Sequence, residues 1–386
     1  MFEEICKNDL CTGCSACAQS CPKFCIKMQP DKDGFLRPVI DENLCITCGK
    51  CKKICPVNHP PKDDNVIPQA FAAKYLNDAV REASSSGGIF SALAEKVLQY
   101  GGAVIGAGFD AEFNVVHKVC TESIFLDELR RSKYVQSNVN EMFLEAFKRL
   151  ENGQIVLFCG TPCQIGGLKA FLEKEYANLY LVDFVCHGVP SPKVWKKYLS
   201  FREQDAGEKI QHVNFRSKIS GWCNYSMLME FSNEKKYIGN VREDLYLRSF
   251  VMNMDLRPSC NQCMFKQVHR QADLTLADFW GIKDIEPSLD DDKGVSLVLL
   301  NTDKGRKLFE SLESVLSTKA VDYKTAIQKN PSITKSVLRP PLRDQFMKQL
   351  DGTDFKTLHD KFCGTGAFSR LRRKIAEIRC RMRKND

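Results

Sequence analysis

Nowhere in the 386 residues is there an unbroken apolar run of about 18, so no segment is expected to cross a bilayer as a helix. The opening stretch MFEEICKNDL is charged and lacks the apolar centre of a secretory leader, and a cytoplasmic location is therefore expected. Net positive charge is also scarce over most of the chain. The net charge is +8, but Arg370 to Asp386 holds eight basic residues against two acidic ones, which leaves +2 for everything before it. No basic face for nucleic acid is implied. The marks of disorder are missing as well: apolar content is ordinary, and glycine and proline are scattered.

Cysteine is present in excess, nineteen residues of it. In a reducing cytoplasm such a count points to metal before disulfides. Two stretches repeat: CTGCSACAQSCP from Cys11 to Pro22, and CITCGKCKKICP from Cys45 to Pro56. Each reads C-x-x-C-x-x-C-x-x-x-C-P, the pattern of bacterial two-cluster ferredoxins. Three cysteines at this spacing wrap a tight loop around one cube of iron and sulfide, while the fourth reaches the other cube. The expected sets are Cys11, Cys14, Cys17 and Cys55 for one 4Fe–4S cluster, and Cys45, Cys48, Cys51 and Cys21 for the second. Zinc and a disulfide mesh are the alternatives; zinc prefers paired C-x-x-C units to a triple with a distant fourth. Cys6 and Cys25 fall outside the pattern and read as buried thiols.

The length suggests about two or three domains. A small ferredoxin-like α+β domain is expected over residues 1–60, with a proline-rich linker over 61–70. Behind it, strand-like and helical segments alternate, so the main body is expected to be α/β with a mixed sheet. Residues 71–150 and 151–330 divide that body, and 331–386 form an extension. Cys159 and Cys163 are expected just past the carboxyl end of the strand IVLF, with Cys186 and His187 past the end of LYLVDFV. Ligands of parallel sheets bind outside such ends. Together with Cys260 and Cys263 of RPSCNQC, Cys163 and Cys186 make four thiols, enough for a third 4Fe–4S cluster or a zinc ion. The plainer reading is small buried side chains, and it holds for Cys120, Cys223, Cys363 and Cys380. Cys159 is left without a role.

REASSSGGIFSALAEKV sets three serines and two glycines directly before an amphipathic helix. Free N–H groups at a helix start suit a diphosphate; plain capping would need only one serine. GAGFDA fits G-x-G-x-x-A by letter, but a strand-like stretch follows where a dinucleotide fingerprint needs a helix, so no such site is read there.

SSSGGIFSAL, SKYVQS, FCGTPCQIGGL, VCHGVPSPKVW, LRPSCNQC and ADFWG, in this order, resemble the coenzyme F420 hydrogenase/dehydrogenase beta-subunit family over roughly residues 70 to 330. The resemblance implies FAD, iron–sulfur clusters and an oxidoreductase acting on a small organic acceptor or donor, with a redox partner protein. It supports a cluster on Cys163, Cys186, Cys260 and Cys263. It also makes Ser85, Ser86, Gly87, Gly88, Ser132, Lys133, Tyr134, Gln136 and Ser137 candidates for holding FAD. Lys133, Arg216 or Lys218 would steady an anionic reduced flavin, and each also reads as a surface charge. His187 is a candidate proton donor or a structural histidine, and the tryptophan of ADFWG reads equally as core. The alternative function is an electron-transfer subunit that feeds a separate enzyme. Past the family-like sequence, Phe368, Leu371, Ile375, Ile378 and Met382 recur at helical spacing among basic residues. Such a helix suits peripheral contact with an anionic membrane, docking to a partner protein, or packing on its own domain.

Overall fold

In the amino-terminal segment, Ile26–Pro30 (β1) and Leu36–Ile40 (β2) pair antiparallel. Asp31 closes the turn, its Oδ1 accepting from the N–H groups of Asp33 and Phe35 at 3.0 Å each. The hairpin sits between two short helices, Ala16–Gln19 and Lys50–Lys53, which carry Cys17 and Cys51, the last cysteine of each triplet. The computed structural model describes residues 4–62 and 66–382, with side chains to Ile378. Asp63, Asp64 and Asn65 of the expected linker lie outside the described residues. So do Arg383, Lys384 and Asp386 of the basic tail, and the side chains of Arg379, Cys380, Arg381 and Met382.

The body supplies eleven further strands among the described residues: Gln69–Tyr75 (β3), Ala103–Phe109 (β4), Val115–Cys120 (β5), Val156–Gly160 (β6), Leu179–Phe184 (β7), Ile210–Ser217 (β8), Ser226–Phe231 (β9), Lys236–Asn240 (β10), Leu274–Asp278 (β11), Ser296–Leu300 (β12) and Leu316–Val321 (β13). Eight form one sheet in the order β13-β3-β12-β11-β7-β6-β4-β5. Its centre, β4, β6, β7 and β11, is parallel, and antiparallel strands flank it on both sides. The mixed α/β sheet expected from the alternation is the one that forms. The strands β8, β9 and β10 make a separate antiparallel sheet.

Alternation along β6 assigns the two faces. Leu157 points into the cluster built on the helix Ile89–Gln99, whereas Val156 and Phe158 join Phe143, Ile165 and Leu168 from the helices Met142–Glu151 and Pro162–Leu172. A third core gathers Trp195 and Tyr198 with the inner faces of β8 and β9 and the carboxyl-terminal helices Arg343–Gln349 and Phe355–Phe362.

LKAFLEKEYA, from Leu168, reads as a helix by its apolar spacing, and that helix begins six residues earlier, at Pro162. Pro162 occupies its first turn and Thr161 with Gln164 forms a capping box, a start signal that outweighs the two glycines inside. This corrects two placements: Cys159 lies within β6, and Cys163 lies in the first helical turn. The strand β13, over LSTKAV, adds to the expected set; it pairs with β3 at the sheet edge, where Thr318 and Lys319 face water. Cys223 is exposed, contrary to its expected burial, while Cys120 and Cys363 are buried.

Candidate redox site

The eight patterned cysteines separate into two sets of unlike surroundings. Cys11, Cys14, Cys17 and Cys55 are all buried. In the other set Cys21 is buried, Cys45 and Cys51 are half-buried and Cys48 is exposed. Each set has an extra thiol beside it. Cys6 stands beside Cys11 and Cys55, and its thiol lowers the proton affinity of both. Cys25 Sγ lies 3.3 Å from Cys21 Sγ. Among the described residues no three of His, Cys, Asp or Glu gather closely enough to ligate one ion. A cubane, each of whose irons takes one thiolate, calls for wider spacing.

The buried set faces the body. Gly167, in the helix that starts at Pro162, lies so close to Cys14 that a Cβ there would meet Cys14 Sγ at 3.0 Å. Arg257, fully buried, donates from Nε to the Cys11 carbonyl at 2.8 Å and from Nη2 to the Leu36 carbonyl at 2.9 Å. Its Nη1 donates to Gln136 Oε1 at 3.1 Å, and the same oxygen accepts from Leu36 N–H.

Four more thiols converge on the body side. Cys163, Cys186 and Cys260 are each pushed up by burial, Cys186 to about 12 and Cys260 to about 11. The neighbouring thiols, Cys263 among them, add to the rise. Thr161 Oγ1 lies 3.1 Å from Cys163 Sγ, and Val189 N–H donates to Cys260 Sγ at 3.4 Å. Four half-buried thiols whose thiolate forms would repel one another are a donor set that a cationic cluster core would relieve.

Cys186 also lines a cavity of about 540 Å³ that opens over the carboxyl ends of β6 and β7. Ser85, Ser86, Gly88, Ser132, Lys133, Tyr134, Ser137 and His187 line it too. Several of its polar walls hold buried atoms that lack a protein partner: Arg216 Nε and Nη2, His117 Nε2 and Asp183 Oδ1. Arg216 is 5% exposed, paired on its other side with Asp278, and stacked 4.3 Å from the Tyr225 ring and 5.4 Å from that of Trp280. Burial brings His117 down to about 4, so its ring is neutral, with Nδ1 2.7 Å from Ser137 Oγ. Leaving such atoms unpaired is costly, and a polar ligand would satisfy them. The volume, the small-residue loop and the unpaired donors fit a flavin nucleotide.

The expected flavin residues divide. Ser85 Oγ accepts from Ser132 N–H at 2.7 Å, tying the two motifs together at the cavity wall. Gly88, at φ +85°, caps the helix Ile89–Gln99, a conformation that favours glycine. Gly87 stands outside the cavity: its N–H goes to Ser296 Oγ, and a Cβ would meet the Ala73 carbonyl at 2.5 Å. Gln136 also stands outside it, spent on Arg257 and Leu36. Lys218 lies behind the serine loop, its Nζ donating to the carbonyls of Arg81, Ser86 and Lys293. Lys133 lines the cavity, but its Nζ bonds the Glu128 and Arg130 carbonyls while burial pulls it to about 7. His187 Nε2 lies 2.6 Å from Asn253 Oδ1, and burial lowers its proton affinity. Trp280 is more than core, since it stacks at 5.1 Å on Trp222 and lines the cavity. Sequence reasoning missed His117 and Asp183, which sit in no telling motif, and Arg257, which stands inside LRPSCNQC beside the cysteines that drew notice.

Comparison with known proteins bears out the resemblance. Residues 153–324 match the family described as the C terminus of the Coenzyme F420 hydrogenase/dehydrogenase beta subunit, and residues 10–59 match the 4Fe-4S dicluster domain. The chain is 23% identical over 323 residues to the Coenzyme F420-dependent sulfite reductase of Methanocaldococcus jannaschii, which covers 81% of this chain and 47% of that protein. It is 24% identical over 192 residues to a subunit, designated F, of the F(420)H(2) dehydrogenase of Methanosarcina mazei, covering 46% of this chain and 53% of that one. The chain thus spans about half the length of the curated relatives it matches. The F420-reducing NiFe hydrogenase complex of Methanosarcina barkeri contains a similar chain: TM-score 0.45, 15% identity, 78% of this chain and 95% of that one. Among the described residues no helix is long and apolar enough to cross a membrane.

Proposed function

We propose that this chain, a 4Fe-4S dicluster domain joined to a coenzyme F420 hydrogenase/dehydrogenase beta-subunit region, is an oxidoreductase that passes electrons between iron–sulfur clusters and a small organic compound by way of FAD. One observation carries the reading: the third thiol set reaches the wall of the cavity through Cys186. Gly167 and Arg257 bring the buried dicluster set against the elements that hold Cys163 and Cys260. In this reading all twelve thiols, Cys11, Cys14, Cys17, Cys21, Cys45, Cys48, Cys51, Cys55, Cys163, Cys186, Cys260 and Cys263, are ligands.

A flavin exchanges electrons singly with clusters and in pairs with an organic partner. The chain's own residues do the rest. Ser85, Ser86, Gly88 and the start of the helix Ile89–Gln99 hold the diphosphate. Arg216 offers two further N–H groups to an anionic oxygen. Lys133 fixes the loop 128–131 along the wall. His187, oriented by Asn253, stands near Cys186 as the group that holds a proton beside the reacting compound.

Anaerobic purification with iron, sulfide and flavin quantification tests the proposal: about twelve irons with FAD per chain supports it. A relay that feeds a separate enzyme is the second reading, supported by the likeness to a chain described as a dehydrogenase subunit. About eight irons and no flavin would establish the relay in place of the enzyme.

A further inference from the structure

The two dicluster thiol sets are not equivalent, and the difference marks a surface. One set is buried against the body; the other reaches solvent through Cys48. Around the outer set stand three large apolar side chains that none of the described residues covers: Phe24 is 71% exposed, Leu44 56% and Ile46 53%. They belong to one patch, because Cys25, next to Phe24, lies against both Cys21 and Cys45. Asp41 N–H also donates to the Cys25 carbonyl at 2.7 Å, holding the two loops side by side. Lysines flank these loops. Lys23 precedes Phe24, and Lys50 and Lys53 lie on the helix that carries Cys51. Lys50 reaches only an exposed Glu173 at 3.9 Å. The nearest acidic residues in sequence are Glu42 and Asp41, whose Oδ1 is engaged by Asn43 N–H.

An apolar centre rimmed by lysines, placed over the most accessible redox thiols, is the form of a transient electron-transfer interface. Such contacts are small, and steering by opposite charge sets their rate.

We propose that this face, Phe24, Leu44 and Ile46 with Lys23, Lys50 and Lys53, docks a small acidic electron-carrier protein that exchanges electrons with the outer cluster. The inference rests on the cluster reading above. Each encounter moves one electron: the carrier is oxidised by one as the outer cluster is reduced by one, with no bond made or broken.

Stopped-flow mixing with a reduced acidic bacterial ferredoxin tests this on the full anaerobic chain. The wild-type rate should fall steeply with added salt. Lys23→Glu/Lys50→Glu/Lys53→Glu should be about tenfold slower or more at low salt and lose that salt dependence. Its iron content and its reduction by dithionite, which needs no docking face, should match wild type. The milder Lys23→Gln/Lys53→Gln pair should fall between the two and serves if the triple variant loses iron. Ferredoxin rates that match wild type in the iron-replete variants would overturn the port. A wild-type chain that lacks the two dicluster cubanes would instead remove the reading beneath it.

Discussion

Arg257 and Cys11 meet across the boundary between the dicluster segment and the body: Nε donates to the Cys11 carbonyl at 2.8 Å, and Nη2 lies 3.7 Å from Cys11 Sγ. Three residues on, Cys260 N–H bonds back to the Arg257 carbonyl. A single buried cation therefore serves two thiol sets. Hydrogen bonds and positive charge near cluster sulfurs favour the reduced, more negative state.

Arg257→Gln should lower the reduction potential of the cluster on Cys11, Cys14, Cys17 and Cys55, and leave that of the outer cluster unchanged. Redox titration followed by electron paramagnetic resonance measures both. Arg257→Lys keeps the charge but not the fork, so its potential should lie between. The docked segment should also loosen, at a cost of about 3–5 kcal/mol for breaking a buried charged contact, read as faster proteolysis between residues 55 and 70.

Cys186 and Cys159 lie near the same cavity but differ in company. Cys186 stands among Cys163, Cys260 and Cys263. Cys159 is inside β6, and the charges that bear on it are those of Asp183 and Lys133. Cys186→Ala should lose about four irons per chain, whereas Cys159→Ala should keep the full count. Equal iron in both variants would remove the third cluster.

Arg216 presents Nε and Nη2 to the cavity with no protein partner. Two charge-assisted hydrogen bonds are worth about 1.5–3 kcal/mol each. Arg216→Gln should therefore weaken FAD binding to the flavin-stripped chain by at least about tenfold, as measured by fluorescence quenching. Lys218→Gln, behind the serine loop, should weaken it less. A reversed order would put the cationic contact at the wrong lysine–arginine pair.

Much of this arrangement was legible before the fold was known, and unevenly so. The dicluster pattern stands in sequence because a cubane loop needs local spacing, and the mixed sheet stands in alternating apolar runs. The start of the helix at Pro162 was hidden because capping by Thr161 and Gln164 competes with two helix-weakening glycines. Gln136 shows the deeper limit. It sits within the flavin-like motif SKYVQS, yet its side chain turns to Arg257 and Leu36, contacts at least 100 residues away that spacing does not encode.

His117 gives a pH test. Its folded-state value, lowered to about 4 by burial, lies below the usual histidine range. The unfolded chain thus binds a proton first as pH falls, and stability is lost progressively below pH 6.5. Between pH 7 and 5.5 the loss from this group is about 1 kcal/mol. Urea unfolding of wild type and His117→Gln should show their stability difference shrinking by about that amount over this range. A constant difference would mean that His117 is not held neutral.

The terminal helix Ala367–Met382 offers the last test. Ser369 and Arg373 anchor it, donating to the carbonyls of Asp360, Phe362 and Gly364, and Ala376 packs on the core. That leaves Phe368 at 90% exposure, with Leu371, Ile375 and Ile378 on the same outward stripe. Arginines and lysines beside an uncovered apolar stripe suit the boundary of an anionic bilayer, where the ring and aliphatic groups enter and the charges meet headgroups. The full chain should co-sediment with phosphatidylglycerol vesicles and not with phosphatidylcholine ones. Phe368→Ser/Leu371→Ser/Ile375→Ser, which spares the anchoring residues, should abolish that binding, as should truncation at Phe368. Vesicle binding unchanged in both variants would assign the stripe to some other role.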